Sequence, residues 1–361
     1  MTKVLSEVIS QRMLALTKAA LHGTIPDEHL FINIGEMEWN ELFEQLCAQG
    51  VMALSFDGAM RLPKELQPPL SVKLRWIASV EAVEKRYRRL RETAEKLFVY
   101  FRENNIKMLL FKGIALSRFY PTPARREFGD IDIFLCGKQE EGNALLERIA
   151  DKKPHFSKKH TNFHYNGILI ENHHTLLSHN EYFKIFRYSK VLEKRLMMIL
   201  NETGVMDETF FAGSGRTDET MLFPSPDFDA LFLTLHLLVH FSNKIVLRQL
   251  CDLTILFTAC KGEIDFAAYR NVLSEAGLLK LSDAFISLLV RYLGLNPEYA
   301  PPYKCDLSLE NKIWNDMLNP KIPLSYWKNE LVFPGQFIKI NLYLKARRLI
   351  YSKFIRKLLK T

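Results

Sequence analysis

The segment REFGDIDIFL, residues 126–135, carries Asp130 and Asp132 one residue apart. In an extended chain residues i and i+2 share a face. The two carboxylates therefore project together, while Ile131, Ile133 and Leu135 take the opposite face and suit a core. Two ionised carboxylates that close repel, and an unpaired buried charge is costly. A hard divalent cation removes both difficulties, because Mg²⁺ takes carboxylate oxygens as ligands. A strand end in water, or a loop cap, accommodates the same pair without any chemistry.

Two neighbouring features extend the chemical reading. Lys112-Gly113 follows the apolar run Ile106–Phe111 and precedes IALSRFY. A strand that turns into a helix there offers free backbone N–H groups to phosphate, and Lys112 adds a point charge. Glu171 lies in FHYNGILIENHH, on a strand able to lie beside the aspartate strand. Asp130, Asp132 and Glu171 with such a turn are the minimum for two-metal phosphoryl transfer, in which ions about 3.5–4 Å apart clamp the attacking and leaving oxygens. A third carboxylate also helps to deprotonate the nucleophile. Arg126 suits a bidentate clamp on a triphosphate. A surface strand glutamate, a lysine beside a turn glycine and a solvated loop arginine are the structural alternatives.

The elements that must position these groups follow from periodicity. Apolar residues from Trp76 to Phe101 recur at three- and four-residue steps and predict one amphipathic helix from about Leu70 to Asn104. Asn104-Asn105 ends it, a short strand runs into Lys112, and PTPARREFG is a loop leading to the aspartate strand. KQEEGNALLERIADKKP predicts a charged helix, and Asn166-Gly167 joins two alternating runs as a hairpin. Strand-like sequence returns near 205–223, Ser225-Pro226 caps a new helix, and helical periodicity continues to about Leu293. The reading is an α+β protein: an N-terminal helical region (1–104), a small mixed sheet with helices (105–224), and a C-terminal helical bundle with a basic tail (225–361).

The chain has 361 residues, 48% hydrophobic and 25% charged, an ordinary globular balance. Its five cysteines are scattered without C-x-x-C spacing and read as reduced packing residues in a cytoplasmic protein. The N-terminal segment reads as an amphipathic helix rather than a signal peptide. The longest apolar run, FDALFLTLHLLVHF, falls short of the ~20 residues a membrane span needs. The net charge of +8 is concentrated between Leu331 and Thr361, which hold eight Lys/Arg and no Asp or Glu. Residues 337–361 read as a basic amphipathic helix, either docked with its charges solvated or in weak, salt-sensitive contact with an anionic membrane or polyanion.

As an ordered set these features resemble the uncharacterised nucleotidyltransferases of the DNA polymerase beta superfamily. The stretches are LLFKGIALSRFYPTPARREFGDIDIFL, then ILIENHH, then HLLVHFSNKIVLRQLCDLTILF. The matching positions are Lys112, Gly113, Tyr120, Arg126, Asp130, Asp132, Glu171, His173, His236, His240, Arg248 and Asp252. The resemblance implies a nucleotidyltransferase-type mixed sheet and a Mg²⁺- or Mn²⁺-dependent transfer of a nucleoside monophosphate from an NTP to an acceptor hydroxyl, releasing pyrophosphate. Asp130, Asp132 and Glu171 would hold metal and do the catalysis. Lys112, Gly113, Arg126 and His173 would bind nucleotide phosphate, and His236, His240, Arg248 and Asp252 would face the cleft. His236 and His240 share a helix face four residues apart, which suits either metal ligands or polar positions facing the cleft, and Arg248 and Asp252 have the same spacing, which also suits a structural salt bridge. The chain departs from the wider superfamily in having Lys-Gly in place of Gly-Ser at the turn, and glutamate in place of aspartate as third acid. A non-catalytic nucleotide- or anion-binding protein, and metal-dependent phosphate-ester chemistry without nucleotide transfer, are the other functional readings. Replacing Asp130 or Asp132 by Asn is expected to leave the fold intact, because both are read at a strand end.

Overall fold

The computed structural model describes residues 7–157, 159–177, 189–202, 205–208, 221–241 and 245–318. The tail at 337–361 lies outside them. The described residues form two compact units: a sheet unit drawn from 81–177 and 189–233, and a helical unit from 7–80 and 234–318. Contacts thus group the described parts of the N- and C-terminal helical regions together, across the order in which they occur along the chain. Periodicity marks where a helix lies but carries no information on which helix it packs against.

The sheet unit has a seven-stranded mixed sheet. In chain order its strands are β1 (Leu109–Phe111), β2 (Asp130–Phe134), β3 (His155–Phe156), β4 (His160–Tyr165), β5 (Ile168–His173), β6 (Val205–Glu208) and β7 (Met221–Pro224). Their spatial order is β3-β4-β5-β2-β1-β7-β6. The hairpin at Asn166-Gly167 forms as the sequence predicts: Tyr165 pairs with Ile168, and both turn residues take positive φ. β2 runs antiparallel to β1 and parallel to β5.

Alternation gives the sheet two unlike faces. Leu110, Ile131, Ile133, Phe163, Ile168 and Ile170 are buried on one, against apolar residues of the long helix Leu70–Glu103 and of the helix Gln139–Ile149. Leu90, Ala94, Leu97 and Phe101 supply the stripe of the long helix that reaches this core, at the spacing read from the sequence. The helix at Pro226–Phe241 starts as expected, with the Phe228 N–H donating to Ser225 Oγ at 3.3 Å. Its Phe228 and Phe232 stack, and Phe232 packs on Phe111.

The helical unit is held by an aromatic nest of Phe31, Trp39, Phe43 and Trp76, with ring centroids 5.5–6.4 Å apart. The Trp76 indole N–H donates to Met52 O at 2.9 Å, which satisfies the one polar group of a fully buried ring. Helices Leu247–Ala259, Phe266–Glu275, Leu279–Leu293 and Leu307–Leu318 complete the unit. Gln49 stitches early to late sequence by accepting from Leu247 N–H and donating to Met317 O. No cysteine forms a disulfide. Cys251 and Cys260 are buried packing residues as expected, whereas Cys136 and Cys305 are exposed, so the packing reading fails for those two. Among the described residues no helix is long and apolar enough to cross a membrane.

Candidate functional site

The second face of the sheet carries the acidic residues that the sequence analysis singles out. Asp132 on β2 pairs in register with Glu171 on β5, and Glu171 with Asn162 on β4. One step along, His173 pairs with His160. Asp130 opens β2 on the same face as Asp132 and is partly exposed. The sequence anticipates a glutamate strand beside the aspartate strand, and the parallel pairing of β2 with β5 supplies it.

Lys112 enters from β1. The strand ends at Phe111, opposite Asp132, and the chain turns at once. Lys112 has φ 56°, ψ −133°, a conformation that a residue with a Cβ adopts only at a cost of about 1–3 kcal/mol. The turn sends the ammonium back over the sheet, where Nζ lies 2.7 Å from Asp132 Oδ1 and 3.4 Å from His173 Nε2. The rings of Phe111 and Phe232 flank it at 5.1 and 5.9 Å. Gly113 follows, buried; a Cβ there would come within 3.3 Å of Phe128 and 3.6 Å of Asp130 O. The helix it begins is only five residues long, Gly113–Ser117, so its dipole is small and Lys112 supplies most of the positive potential.

Asp132 is mid-strand and 4% exposed. His173 Nε2 reaches its Oδ1 at 2.8 Å, alongside the Lys112 ammonium. This corrects the strand-end expectation: only Asp130 sits at the strand's start, and Asp132 is a buried charge with two partners. Breaking such a buried pair from one side costs about 3–5 kcal/mol. Burial pushes the Asp132 carboxyl up, but the Lys112 charge and the His173 hydrogen bond outweigh it and hold the group well below the usual carboxylate range. Glu171 behaves alike: burial raises it, and the His173 hydrogen bond leads the effects that lower it on balance. Both acids are thus ionised at neutral pH, the state a metal ligand requires.

Two groups missing from the sequence reading join the cluster. His160 Nδ1 lies 3.4 Å from Glu171 Oε2, and its ring meets that of His173 at 5.1 Å. Burial pushes His160 down to about 4, so it is neutral near pH 7. Lys159, one residue earlier, is brought down to about 8, first by burial and next by repulsion from Lys112, with Asp132, Glu171 and Asp130 opposing. His160 was accessible to reasoning. A two-residue Asn-Gly hairpin fixes the cross-strand partners, and counting back from Tyr165–Ile168 puts His160 opposite His173. Lys159 lies beyond the end of β4, where no strand pattern fixes its direction.

The remaining predicted site residues are placed as follows. His173 is fully buried against Phe111 and bonds to Asp132. Arg126 is buried, with its guanidinium 5.5 Å from the Phe128 ring centre, so the solvated-loop alternative does not hold. His236, Arg248 and Asp252 belong to the helical unit. His236 is partly buried, Asp252 is buried, and the Arg248 N–H donates to Gln49 O at 3.2 Å. The His240 side chain lies outside the described residues.

The donor set fits a divalent cation: Asp130, Asp132 and Glu171 share a face with neutral imidazole close by. A family model described as uncharacterised nucleotidyltransferase matches residues 35–294, well over half of the chain. No curated protein and no solved structure matches it.

Proposed function

The chain belongs to the uncharacterised nucleotidyltransferase family, and from that premise we propose that it transfers a nucleoside monophosphate from an NTP to an acceptor hydroxyl, with release of pyrophosphate. One observation carries the reading: Asp132 and Glu171 stand in register on adjacent parallel strands, Asp130 shares their face, and the Lys112 ammonium is 2.7 Å from Asp132. Asp130, Asp132 and Glu171 would hold a divalent cation such as Mg²⁺ or Mn²⁺, which when bound supplies Lewis-acid polarisation of a phosphoryl oxygen.

The chain's own residues account for the rest. Lys112, freed from Asp132 as negative phosphate arrives, carries its charge to the triphosphate, and the backbone of Gly113 lets phosphate approach closely. Arg126 and Lys159 add positive charge for the leaving pyrophosphate. His173 positions the Asp132 carboxylate through its 2.8 Å bond. Glu171 accepts the proton of the attacking hydroxyl. The acceptor classes in play are sugar, antibiotic, protein and RNA.

The test uses NTPs labelled at the α-phosphate, one base at a time, with Mg²⁺ or Mn²⁺ and a cell extract as the acceptor source. Label should move to an acceptor with release of pyrophosphate, and Asp130→Asn should abolish both. No transfer from any of the NTPs with either cation would sink the proposal.

A further inference from the structure

We propose that His160, Glu171 and His173 form a binding site for one divalent cation of the borderline class, Zn²⁺ or Co²⁺ before Mg²⁺. The site goes beyond the nucleotidyl-transfer reading and shares Glu171 with it, but it stands on ligand geometry and holds whether or not nucleotide is transferred.

The geometry is specific. One ligand atom from each residue lies within 4.8 Å of the other two. Glu171 Oε2 is 3.4 Å from His160 Nδ1 and 3.4 Å from His173 Nε2. Around a tetrahedral ion with bonds of about 2.0–2.1 Å, neighbouring ligand atoms stand about 3.3–3.4 Å apart. An octahedral Mg²⁺ site with similar bonds brings adjacent ligands to about 3.0 Å and favours oxygen throughout. Imidazole selects transition metals over Mg²⁺.

Three further observations point to a ligand. His160 Nδ1 is buried without a hydrogen-bond partner among the described residues, although Glu171 is near enough to share an ion with it. Asn162 Oδ1, on the strand position opposite Glu171, is buried and likewise without a hydrogen-bond partner among them. His173 Nδ1 lies 3.3 Å from Thr175 O, so when an ion takes the place of the Nε2 proton now shared with Asp132, the ring can donate there and offer its Nε2 lone pair to the ion. A ligating histidine is commonly oriented this way, by a carbonyl on its far nitrogen. Asp132 Oδ1, 2.8 Å from His173 Nε2, is near enough to add a carboxylate oxygen in exchange for its Lys112 partner at 2.7 Å, and water or a substrate oxygen would serve otherwise.

Full-length, untagged, metal-stripped protein carrying Cys136→Ser and Cys305→Ser, which removes the exposed thiols, is titrated with Co²⁺ without nucleotide. The parent should take up one equivalent and develop the visible absorption of a low-coordinate nitrogen/oxygen site. Zn²⁺ should displace the Co²⁺, and Mg²⁺ in ~100-fold excess should not. His160→Ala and His160→Gln should each weaken Co²⁺ binding at least ~10-fold, with the fold checked by circular dichroism. His160 is partly exposed, and two unlike replacements guard against a folding artefact. Unchanged Co²⁺ affinity and spectrum in both variants would overturn the proposal, and so would displacement by equimolar Mg²⁺ or no Co²⁺ uptake by the parent. Because nucleotide is absent throughout, these outcomes are separate from success or failure of the transfer assay.

Discussion

The same strands carry two polar clusters, one on each face of the sheet, and they differ in kind. On the core face Asn172 donates to Asn143 Oδ1 at 2.8 Å and to Gln139 O at 3.1 Å. Asn143 donates to Thr161 Oγ1 at 3.3 Å, and Thr161 meets His174 Nε2 at 2.7 Å. Asn172, Asn143 and Thr161 carry no charge, and their donors meet acceptors within the cluster, while Asn172 Oδ1 has no hydrogen-bond partner among the described residues. It ties the helix Gln139–Ile149 to β4 and β5. On the other face Lys112 and His173 crowd onto one oxygen of Asp132, while His160 Nδ1 and Asn162 Oδ1 lack hydrogen-bond partners among the described residues. Burial and polarity are common to both. Of the two clusters only the second holds ionised side chains and a strained lysine, which a ligand would relieve.

The contrast is testable by substitution, beginning where the two clusters should differ most. Asp132→Asn should cut metal-dependent turnover by on the order of 10³-fold, the worth of several kcal/mol of charge stabilisation. It should also lower urea stability by about 3 kcal/mol, because Lys112 keeps a buried charge without its carboxylate. Asp130→Asn should lose comparable activity yet change stability by less than about 1 kcal/mol, since the side chain is partly exposed at the strand start. A turnover assay beside a denaturation curve separates the two aspartates. In the neutral cluster Asn143→Ala should cost about 1–2 kcal/mol in the same denaturation experiment, with turnover unaffected; a large loss of activity there would erase the distinction between the faces. The smallest effect concerns backbone strain. Lys112→Gly should be more stable than Lys112→Ala by about 1 kcal/mol, because glycine accepts φ 56° without penalty, while both weaken nucleotide binding in calorimetry. Equal stabilities would show that the turn is unstrained.

Much of the site could be read from residue order because its parts are local. Alternation put Asp130 and Asp132 on one face and Ile131 and Ile133 on the other, and Asn-Gly fixed the β4–β5 register through to His173. What the order of residues does not encode is long-range pairing. That β5 lies parallel to β2 with Asp132 opposite Glu171 depends on a crossover whose register no local pattern sets. The depth of Asp132 escapes a local pattern for a related reason. Polar residues after a loop look like a strand end, yet β1 and β5 flank Asp132 on both sides and Lys112 covers it. The two-unit arrangement was hidden likewise, since helix periodicity gives a buried stripe without naming the surface it meets. The tail at 337–361 is readable only as charge and amphipathicity, and its proposed contact with an anionic membrane or polyanion stays a matter for liposome flotation with and without those residues, across a salt series.

We propose that nucleotide chemistry occurs on the Asp132 face of the sheet. The most direct measurement is a crystal structure of the full chain with Mn²⁺ and a non-hydrolysable NTP, with manganese located by anomalous scattering. Manganese should contact Asp130, Asp132 and Glu171, with the α-phosphate on that ion and the Lys112 ammonium moved from Asp132 to the phosphates. Nucleotide bound elsewhere, with the Lys112–Asp132 pair intact and no manganese between the carboxylates, would contradict it.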